Sequence, residues 1–321
     1  MSFFAIVFAL LLEQVRPLLL DSQVHRVAWG WARSCARSLD AGRAQHGVLV
    51  WVAVVLVPAL LAFLVHWLLV MLWGWAGLVL AFAWHVGILY ATLGFRQFSH
   101  HFTAARDALE AGDMALARKR LASWMRVPLH QLDSLTREAL LKALMDHSVV
   151  AAHRHVFAVL GWYAVLAALG LGPAGAVLYR MSEFASRFFH ASNQHDPYSS
   201  TLYSLDSALP PAASASMHLS SFSTQQAAQT AWWWIDYLPA RLTALGFAVV
   251  GSFEEVLEAW RGHDRTSSSH DGLIQSAMAA ALNLKGELQS AHLRLMVGLV
   301  WRSVVLWLML IALLTLAKLI G

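Results

Sequence analysis

The chain has 321 residues, of which 58% are hydrophobic and only 13% are charged. Soluble domains carry about 25% charged residues, so this composition, with a mean hydropathy of +0.55, excludes an ordinary soluble protein and predicts an all-α, polytopic membrane protein. A net charge of +4 does not indicate nucleic-acid binding, and Cys35, the single cysteine, excludes an intrachain disulfide. Since one crossing takes about 20 apolar residues, the length allows about five to six spans in one bundle over residues 1–321.

The first long apolar stretch runs from Gly47 to Gly94 without a charged residue. A single helix of this length would rise about 72 Å, more than twice the thickness of the hydrocarbon core, which is about 30 Å. The stretch must therefore fold back as a transmembrane hairpin over residues 47–94. Its turn is predicted at Trp73–Gly77, where two glycines loosen the backbone and two tryptophans suit the membrane interface.

Residues 96–155 are predicted to form a cytosolic helical insert. Inside it, Arg106–Met125 has the pattern of two short amphipathic helices, because Gly112 is suited to ending the first and Asp113 to capping the second. Two interpretations stay open for this hairpin: a packed layer whose Arg-Lys-Arg segment faces water or lipid headgroups, or a ligand-binding surface. The leucines expected to face inward are Leu109, Leu116 and Leu121.

Three further spans are predicted at Val156–Leu178, Trp232–Val250 and Val297–Ile320, and the segment GLGPAG bends or ends the first of them. Nine Lys or Arg residues lie between Arg96 and Arg154, but only two lie between Arg180 and Thr230. The positive-inside rule therefore places the first of these loops in the cytoplasm.

Residues 191–224 are rich in serine and contain a Pro-Pro pair. Few periodic apolar residues occur there, so a long surface loop is predicted. A lid over a pocket is the alternative, because long loops in compact folds are often functional.

The chain contains sixteen histidines, yet no metal site is predicted. The densest pairs, at 100–101 and 153–155, lack the spacing with an acid that zinc proteases show, and interface positions are expected for them. His66 and His85 fall inside the hairpin spans, where ionisable groups are costly. We expect these two to bond to each other or to a backbone carbonyl.

Five segments, taken in order and with their spacing, resemble the CobD/CbiB superfamily of polytopic inner-membrane proteins. This superfamily includes the cobalamin-pathway enzyme and the AmpE signalling branch. The resemblance covers nearly the whole chain and rests on LLLEQ, EAGDMALARKRLASW, LGLGPAGAVLYR, DYLPARL and WRGHDRTSSSHDGLIQSAMAAALNL.

For the enzyme branch, this resemblance implies an amide bond between an aminopropanol, or its phosphate, and a corrinoid carboxylate, formed with ATP and magnesium. Mg²⁺ takes oxygen ligands, so carboxylates are the residues to match. One acid of the enzyme pattern survives in shortened form as Asp146, and a metal site rebuilt in this chain would use Asp146, Glu183 and Asp236. Residues at matching places that would hold phosphate or propionate groups are Arg241, Arg261, Ser267 and Ser268.

Other acids of the enzyme pattern are replaced in this chain. The residues now at those positions are Val150, Ser186, Trp232, Trp233 and Gln275. The resemblance therefore predicts a divergent family member with a degraded amide-forming site and an AmpE-like sensing or assembly role. One alternative is an ATP-dependent corrinoid amide ligase of the adenosylcobinamide-phosphate synthase type, using Mg-ATP. A further alternative is a transporter or corrinoid-binding module. For each of these functions, the expected partners are the lipid bilayer, a small molecule such as a corrinoid, and other membrane proteins.

The segment IDYLPARL closely resembles the AmpE branch. If a span begins at Trp232, Asp236 caps the helix and Pro239 occupies its first turn, where a missing N–H costs little. Arg241 would then pair with Asp236 or extend towards the interface. A functional role for the three residues is the other interpretation.

Overall fold

The computed structural model describes residues 2–15, 23–72, 74–191, 221–266 and 269–320, and every regular element in them is helical. The prediction of an all-α protein is confirmed. The α-helices are α1 (Ser2–Val15), α2 (Gln23–Leu39), α3 (Ala44–Met71), α4 (Trp75–Thr92), α5 (Phe95–Glu110), α6 (Met114–Met125), α7 (His130–Asp133), α8 (Arg137–Ala152), α9 (Ala158–Ala168), α10 (Ala174–Ala191), α11 (Phe222–Val250), α12 (Phe253–Thr266), α13 (His270–Ala281) and α14 (Ser290–Ile320).

Four helices of the described part are long and apolar enough to cross a membrane. Two are α3 and α4, the third is the continuous helix Arg137–Ala168 and the fourth is Ser290–Ala317. The membrane class is confirmed, with four such helices where about five to six spans were predicted. Arg137–Ala168 joins α8 to α9 through one turn of π-helix at His153–Phe157.

The segment predicted to be a transmembrane hairpin, residues 47–94, contains two helices that are long and apolar enough to cross a membrane, with a turn between them. Helix α3 ends at Met71, α4 begins at Trp75, and Gly74 between them has a φ of +93°, a conformation that glycine adopts easily. Across the hairpin, the Nε2 atom of His85 lies 3.1 Å from the Nδ1 atom of His66. The expected mutual pairing of these two histidines is confirmed.

The predicted span Val156–Leu178 has the wrong bounds. The helix begins at Arg137, because the leucine- and alanine-rich stretch before Val156 has high helix propensity and continues the same helix. It ends at Ala168, where Gly170 and Gly172 have φ values of +82° and +59°. The glycine-rich segment thus ends the span, and the helix takes in the last part of the predicted 96–155 insert.

The expected helix start at Trp232 is also wrong. Helix α11 begins at Phe222, since the alanines and glutamines that precede the tryptophans are strong helix formers. Asp236 therefore lies in the helix interior and cannot be its N-cap, and Pro239 lies inside the helix as well. Among the described helices, α11 does not reach the hydropathy of a crossing.

Most of the serine-rich stretch predicted over 191–224 lies outside the described residues, and its last residues form the first turn of α11. Asp40, which follows α2, is hydrogen-bonded to the start of α11. Its Oδ2 atom accepts hydrogen bonds from the backbone N–H of Ser221 at 2.7 Å and from the hydroxyl of Thr224 at 2.8 Å. Burial alone would raise the pKa of Asp40, but these bonds and one from the backbone of Gly42 outweigh it and lower the pKa.

The described residues fall into two compact units. One contains α1, the segment Thr92–Ala164 and the chain from Asp236 onwards, and the other contains the segments Leu19–Ala91 and Val165–Ile235. In the first unit, α8 packs against α5, α6, α13 and α14, and in the second, α3 packs against α2 and α10. A single membrane domain over residues 1–321 stays a prediction.

The structure confirms the predicted turn at Gly112 and the predicted cap at Asp113 between α5 and α6, but one of the three leucines expected to face inward is exposed. Gly112 has a φ of +80°, and the Oδ1 atom of Asp113 accepts a hydrogen bond from the backbone N–H of Leu116 at 2.9 Å. Leu109 and Leu121 are each 1% exposed, but Leu116 is 39% exposed. Leu116 and Leu121 cannot both face the core, because a separation of five residues turns a helix by about 140°.

Replacing Leu121 with Asp should lower the free energy of unfolding by several kcal/mol, about 3 or more, because an unpaired carboxylate would be buried. Leu116→Asp is the matched control on the same helix, and its effect should stay within about 0.5 kcal/mol, as at other exposed sites. Unfolding of the purified protein in detergent measures both. Equal losses for the two variants would contradict the orientation of α6.

Candidate functional site

Three buried polar side chains meet in the first unit. The Nε2 atom of His153 lies 2.9 Å from the Oδ1 atom of Asp236, and its Nδ1 atom lies 2.9 Å from the hydroxyl oxygen of Thr243. His153, Asp236 and Thr243 are 0%, 1% and 1% exposed. We call this group the His153 cluster.

The helices explain how the His153 cluster is assembled. Asp236 and Thr243 are about two helical turns apart, so both lie on the same face of α11. His153 begins the π-helical turn, in which the backbone N–H of Ala158 donates to the carbonyl of His153. Such turns occur often at functional sites, and here one carries the imidazole that binds both α11 side chains.

The bonding pattern restricts the protonation of the cluster. When Asp236 is ionised its carboxylate only accepts hydrogen bonds, and Nε2 of His153 then carries the proton between them. Nδ1 then either accepts the hydroxyl proton of Thr243 or, in an imidazolium, donates to its oxygen. In both states the cluster satisfies a carboxylate that would be costly to bury alone.

Asp146 lies on α8 of the same unit, in a different environment. Its Oδ2 atom is 2.6 Å from the Nζ atom of Lys142, one helical turn earlier. The Asp146 side chain is 20% exposed and that of Lys142 is 66% exposed. Asp146 is therefore in an ion pair near the surface of its unit.

Glu183 belongs to the second unit and is 3% exposed. Its Oε2 atom lies 2.8 Å from Nη1 of Arg180, and its two carboxylate oxygens lie 3.0 Å from Nε and Nη2 of Arg187. The second contact is a two-point guanidinium–carboxylate bond, the geometry in which such pairs are strongest.

The three candidate acids therefore have separate partners. Asp236 binds His153, Asp146 binds Lys142, and Glu183 binds two arginines. Among the described residues, no group of three or more His, Cys, Asp or Glu side chains is placed to hold a metal ion.

Arg241 is the best defined of the predicted phosphate-binding residues. Its guanidinium lies 3.5 Å from the ring centre of Tyr237, and its Nη2 atom is 3.4 Å from Oδ1 of Asp264 on α12. The expected pairing of Arg241 with Asp236 is wrong, because Asp236 points to His153 instead. Arg261 is exposed on α12. Two predicted residues lie outside the described part of the chain, Ser267 and Ser268.

A family profile described as "CobD/Cbib protein" matches residues 3–186, more than half of the chain. The chain belongs to the CobD/CbiB family. A curated "Cobalamin biosynthesis protein CobD" of Stutzerimonas stutzeri (strain A1501) is 27% identical over 293 residues, covering 84% of this chain and 82% of the relative. A protein of the same name from Chromobacterium violaceum is 28% identical over 204 residues, covering 62% of this chain and 54% of the relative. No solved structure matches the chain.

The family profile covers some of the candidate residues and not others. Asp146, His153 and Glu183 lie inside the matched segment, while Asp236 and Arg241 lie beyond it. Sequence reasoning identified the acids but did not connect Asp236 with His153. The available signal was that Asp236 interrupts a largely apolar stretch, where such a group needs a partner.

Proposed function

We propose that this CobD/CbiB family member has a degraded amide-forming site and acts as a multi-pass inner-membrane sensor or assembly partner, as in the AmpE branch. The supporting observation is that each candidate carboxylate is engaged by a cation or histidine of the protein itself. A magnesium–nucleotide site needs carboxylates that are available to the metal ion.

The cost of freeing these carboxylates differs. Removing one partner from a buried ion pair costs about 3–5 kcal/mol, so Asp236 and Glu183 are poor metal ligands. Exposed pairs such as Lys142–Asp146 contribute only about 0–1 kcal/mol. Asp146 is therefore the one candidate acid that a magnesium ion would capture at low cost.

A second function is favoured by the names of the relatives, both called cobalamin biosynthesis proteins. Under this alternative the chain is a corrinoid amide ligase of the adenosylcobinamide-phosphate synthase type. Asp146 would then contact the magnesium of Mg-ATP, and Arg241 and Arg261 would contact phosphate or corrinoid propionate groups.

A complementation experiment separates the two proposals. We expect that this chain will not restore growth of a cell lacking its own corrinoid amide ligase on cobalamin-dependent medium supplied with cobyric acid. Loss of one catalytic electrostatic group commonly costs about 10²–10³ in rate, and several acids of the pattern are replaced here. The authentic enzyme is the positive control, and immunoblotting of membranes checks expression.

The variant Asp146→Asn tests whether any rescue depends on this carboxylate. Under our proposal it leaves the cobalamin yield unchanged, because the parent protein contributes no turnover. Growth rescued by the chain and abolished by Asp146→Asn would overturn the degraded-site proposal and support the synthase.

The proposed orientation is tested with single cysteines in a protein carrying Cys35→Ser. A cysteine at Ser123, which is exposed on α6, should resist an impermeant thiol reagent in intact cells and react after lysis. A cysteine at Ser214 should react in intact cells. These outcomes follow from the excess of Lys and Arg between 96 and 154, and the reverse labelling would invert the orientation.

A further inference from the structure

Two arginines of α2 lie side by side without an acidic partner. Arg33 and Arg37 are four residues apart, so they are neighbours on one face of the helix, and like charges at this spacing repel each other. Among the described residues, neither guanidinium forms an ion pair. We call these two residues the α2 arginine pair.

The acid nearest to this pair in the sequence is already engaged. Asp40 is the single Asp or Glu in residues 23–95, which contain four arginines. Its Oδ1 atom accepts a hydrogen bond from the backbone N–H of Gly42 at 3.0 Å, and its Oδ2 atom accepts the bonds from Ser221 and Thr224 described above. Neutral donors thus occupy both carboxylate oxygens, and the stretch keeps an excess of positive charge.

Aromatic packing fixes the environment of Arg33. Its guanidinium carbon lies 5.1 Å from the ring centre of Trp29, within the range of a cation–π contact. Trp29 in turn meets Phe188 of α10 edge-on, with ring centres 5.8 Å apart. The Nε atom of Arg33 is buried and has no hydrogen-bond partner in the described part of the chain. A buried donor without an acceptor is costly, and a bound anion would supply that acceptor.

The packed face of α2 holds the pair in place. Ala32 and Ala36, each one residue before an arginine, are 0% and 1% exposed and belong to the core cluster that α2 forms with α3 and α10. One residue turns a helix by about 100°, so both arginines lie at the edge of the packed face. Arg33 is half-buried and Arg37 is exposed. The pair is therefore carried by a packed helix and is accessible from outside it.

The length of α3 places the pair at the membrane surface. Helix α3 has 28 residues and rises about 42 Å, about 12 Å more than the hydrocarbon core, so about eight residues extend beyond the core. Its last residues lead into the apolar hairpin turn, so the extending residues are those at its start. Trp31 of α2 donates from Nε1 to the carbonyl of Ala53 at 3.2 Å, and Arg33 and Arg37 lie between Trp31 and the turn to α3. The pair is therefore level with the start of α3, where headgroups lie and where tryptophans such as Trp29 and Trp31 are common.

We propose that Arg33 and Arg37 bind a phosphate group at the membrane surface. The phosphate belongs to the headgroup of an anionic phospholipid or to a free phosphate ester, and the level of the pair beside two tryptophans favours the headgroup. Guanidinium groups bind phosphate through two parallel hydrogen bonds. A phosphate oxygen at Nε of Arg33 supplies the missing acceptor, and the negative charge offsets the repulsion between the two arginines. The site belongs to the second unit and shares no residue with the His153 cluster.

The test uses the full chain purified in detergent and three probes: dihexanoyl-phosphatidylglycerol, dihexanoyl-phosphatidylcholine and inorganic phosphate. Binding is titrated by microscale thermophoresis. We expect phosphatidylglycerol to bind at least about tenfold more tightly than phosphatidylcholine, whose positive choline group is repelled by the arginines. Arg33→Gln and Arg37→Gln should each weaken phosphatidylglycerol binding about five- to tenfold, as expected for loss of a charge-assisted hydrogen bond.

Arg26→Gln is the matched control. Arg26 is exposed on α2 and lies two turns before Arg33, about 10 Å along the helix, so the variant removes the same charge from the same face but outside the pair. It should change the affinity less than about twofold, because salt largely screens charges at this separation. Equal losses for the three variants, or no loss for either variant of the pair, would overturn the proposal. Unchanged gel-filtration profiles confirm folding.

The probes separate the two sources of phosphate. Phosphatidylglycerol binding that depends on both arginines, with inorganic phosphate at least about tenfold weaker, assigns the site to a headgroup. Binding of inorganic phosphate with comparable affinity and the same loss in both variants assigns it to a free phosphate. Binding of neither overturns the proposal, as does phosphatidylglycerol binding no tighter than that of phosphatidylcholine when phosphate does not bind. No corrinoid or nucleotide is present, so the result is independent of the proposed function.

Discussion

Replacing Asp236 with alanine should lower the free energy of unfolding by about 3–5 kcal/mol, because one member of a buried pair would be removed. His153 is fully buried and would lose its acceptor at Nε2. His153→Ala should cost a similar amount, since it removes the buried imidazole that binds the Asp236 carboxylate. Unfolding of the purified protein in mixed detergent micelles measures each loss.

The double variant distinguishes a coupled pair from two independent contacts. His153→Leu combined with Asp236→Leu removes both polar groups, and such replacements are often nearly neutral in stability. We therefore expect the double variant to be more stable than either single alanine variant. Asp264→Ala is the control. It removes the partner of Arg241 at 3.4 Å in a pair whose side chains are 22% and 45% exposed, and about 0–1 kcal/mol is expected for a pair near the surface. A double variant that is less stable than both single alanine variants would contradict the coupling.

Local signals in the sequence predicted the local structure well. Gly74 and Gly112 occupy left-handed conformations at the two predicted turns, and Asp113 caps α6 as expected. These features depend on the residue and its immediate neighbours. They can therefore be inferred without knowing what the segment packs against.

The helix starts at Arg137 and Phe222 were missed for a different reason. Both predictions placed the start of a helix at the start of an apolar stretch. A membrane helix continues beyond the hydrocarbon wherever its residues favour helix, and protein neighbours cover the part outside it. In the most apolar 18-residue stretch of Arg137–Ala168, 67% of the stretch is buried inside the protein, against 28% in each of the other three candidate spans. This helix is therefore surrounded by protein far more than the other three are.

The candidate acids illustrate which contacts a sequence reveals. Glu183 has its arginines three residues before and four residues after it, a spacing that places all three on one helix face, so this ion-pair set was readable from spacing alone. Asp236 and His153 are 83 residues apart, and no local pattern joins them. The difference matters for function, because the partner decides whether a carboxylate is available to a metal ion.

Glu183→Gln should lower the free energy of unfolding by about 2–4 kcal/mol, because Arg180 would keep its charge in a largely buried place without the matching carboxylate. The two arginines should differ in effect. Arg180→Ala should cost more than Arg187→Ala, since the side chain of Arg180 is 16% exposed and that of Arg187 is 47% exposed. Glu255→Gln is the control, because the pair Lys285–Glu255 is largely exposed and about 0–1 kcal/mol is expected for it.

The same variant tests whether Glu183 binds magnesium. A ligand that binds only the folded protein raises its stability by RT ln(1 + [L]/Kd), so Mg-ATP would stabilise the parent and not Glu183→Gln if this carboxylate held the ion. We expect the thermal midpoints of both proteins to be unchanged by Mg-ATP, since the two arginines already neutralise the carboxylate. Stabilisation of the parent that disappears in Glu183→Gln would show that the carboxylate leaves its arginines for the metal, and the synthase would then become the favoured function.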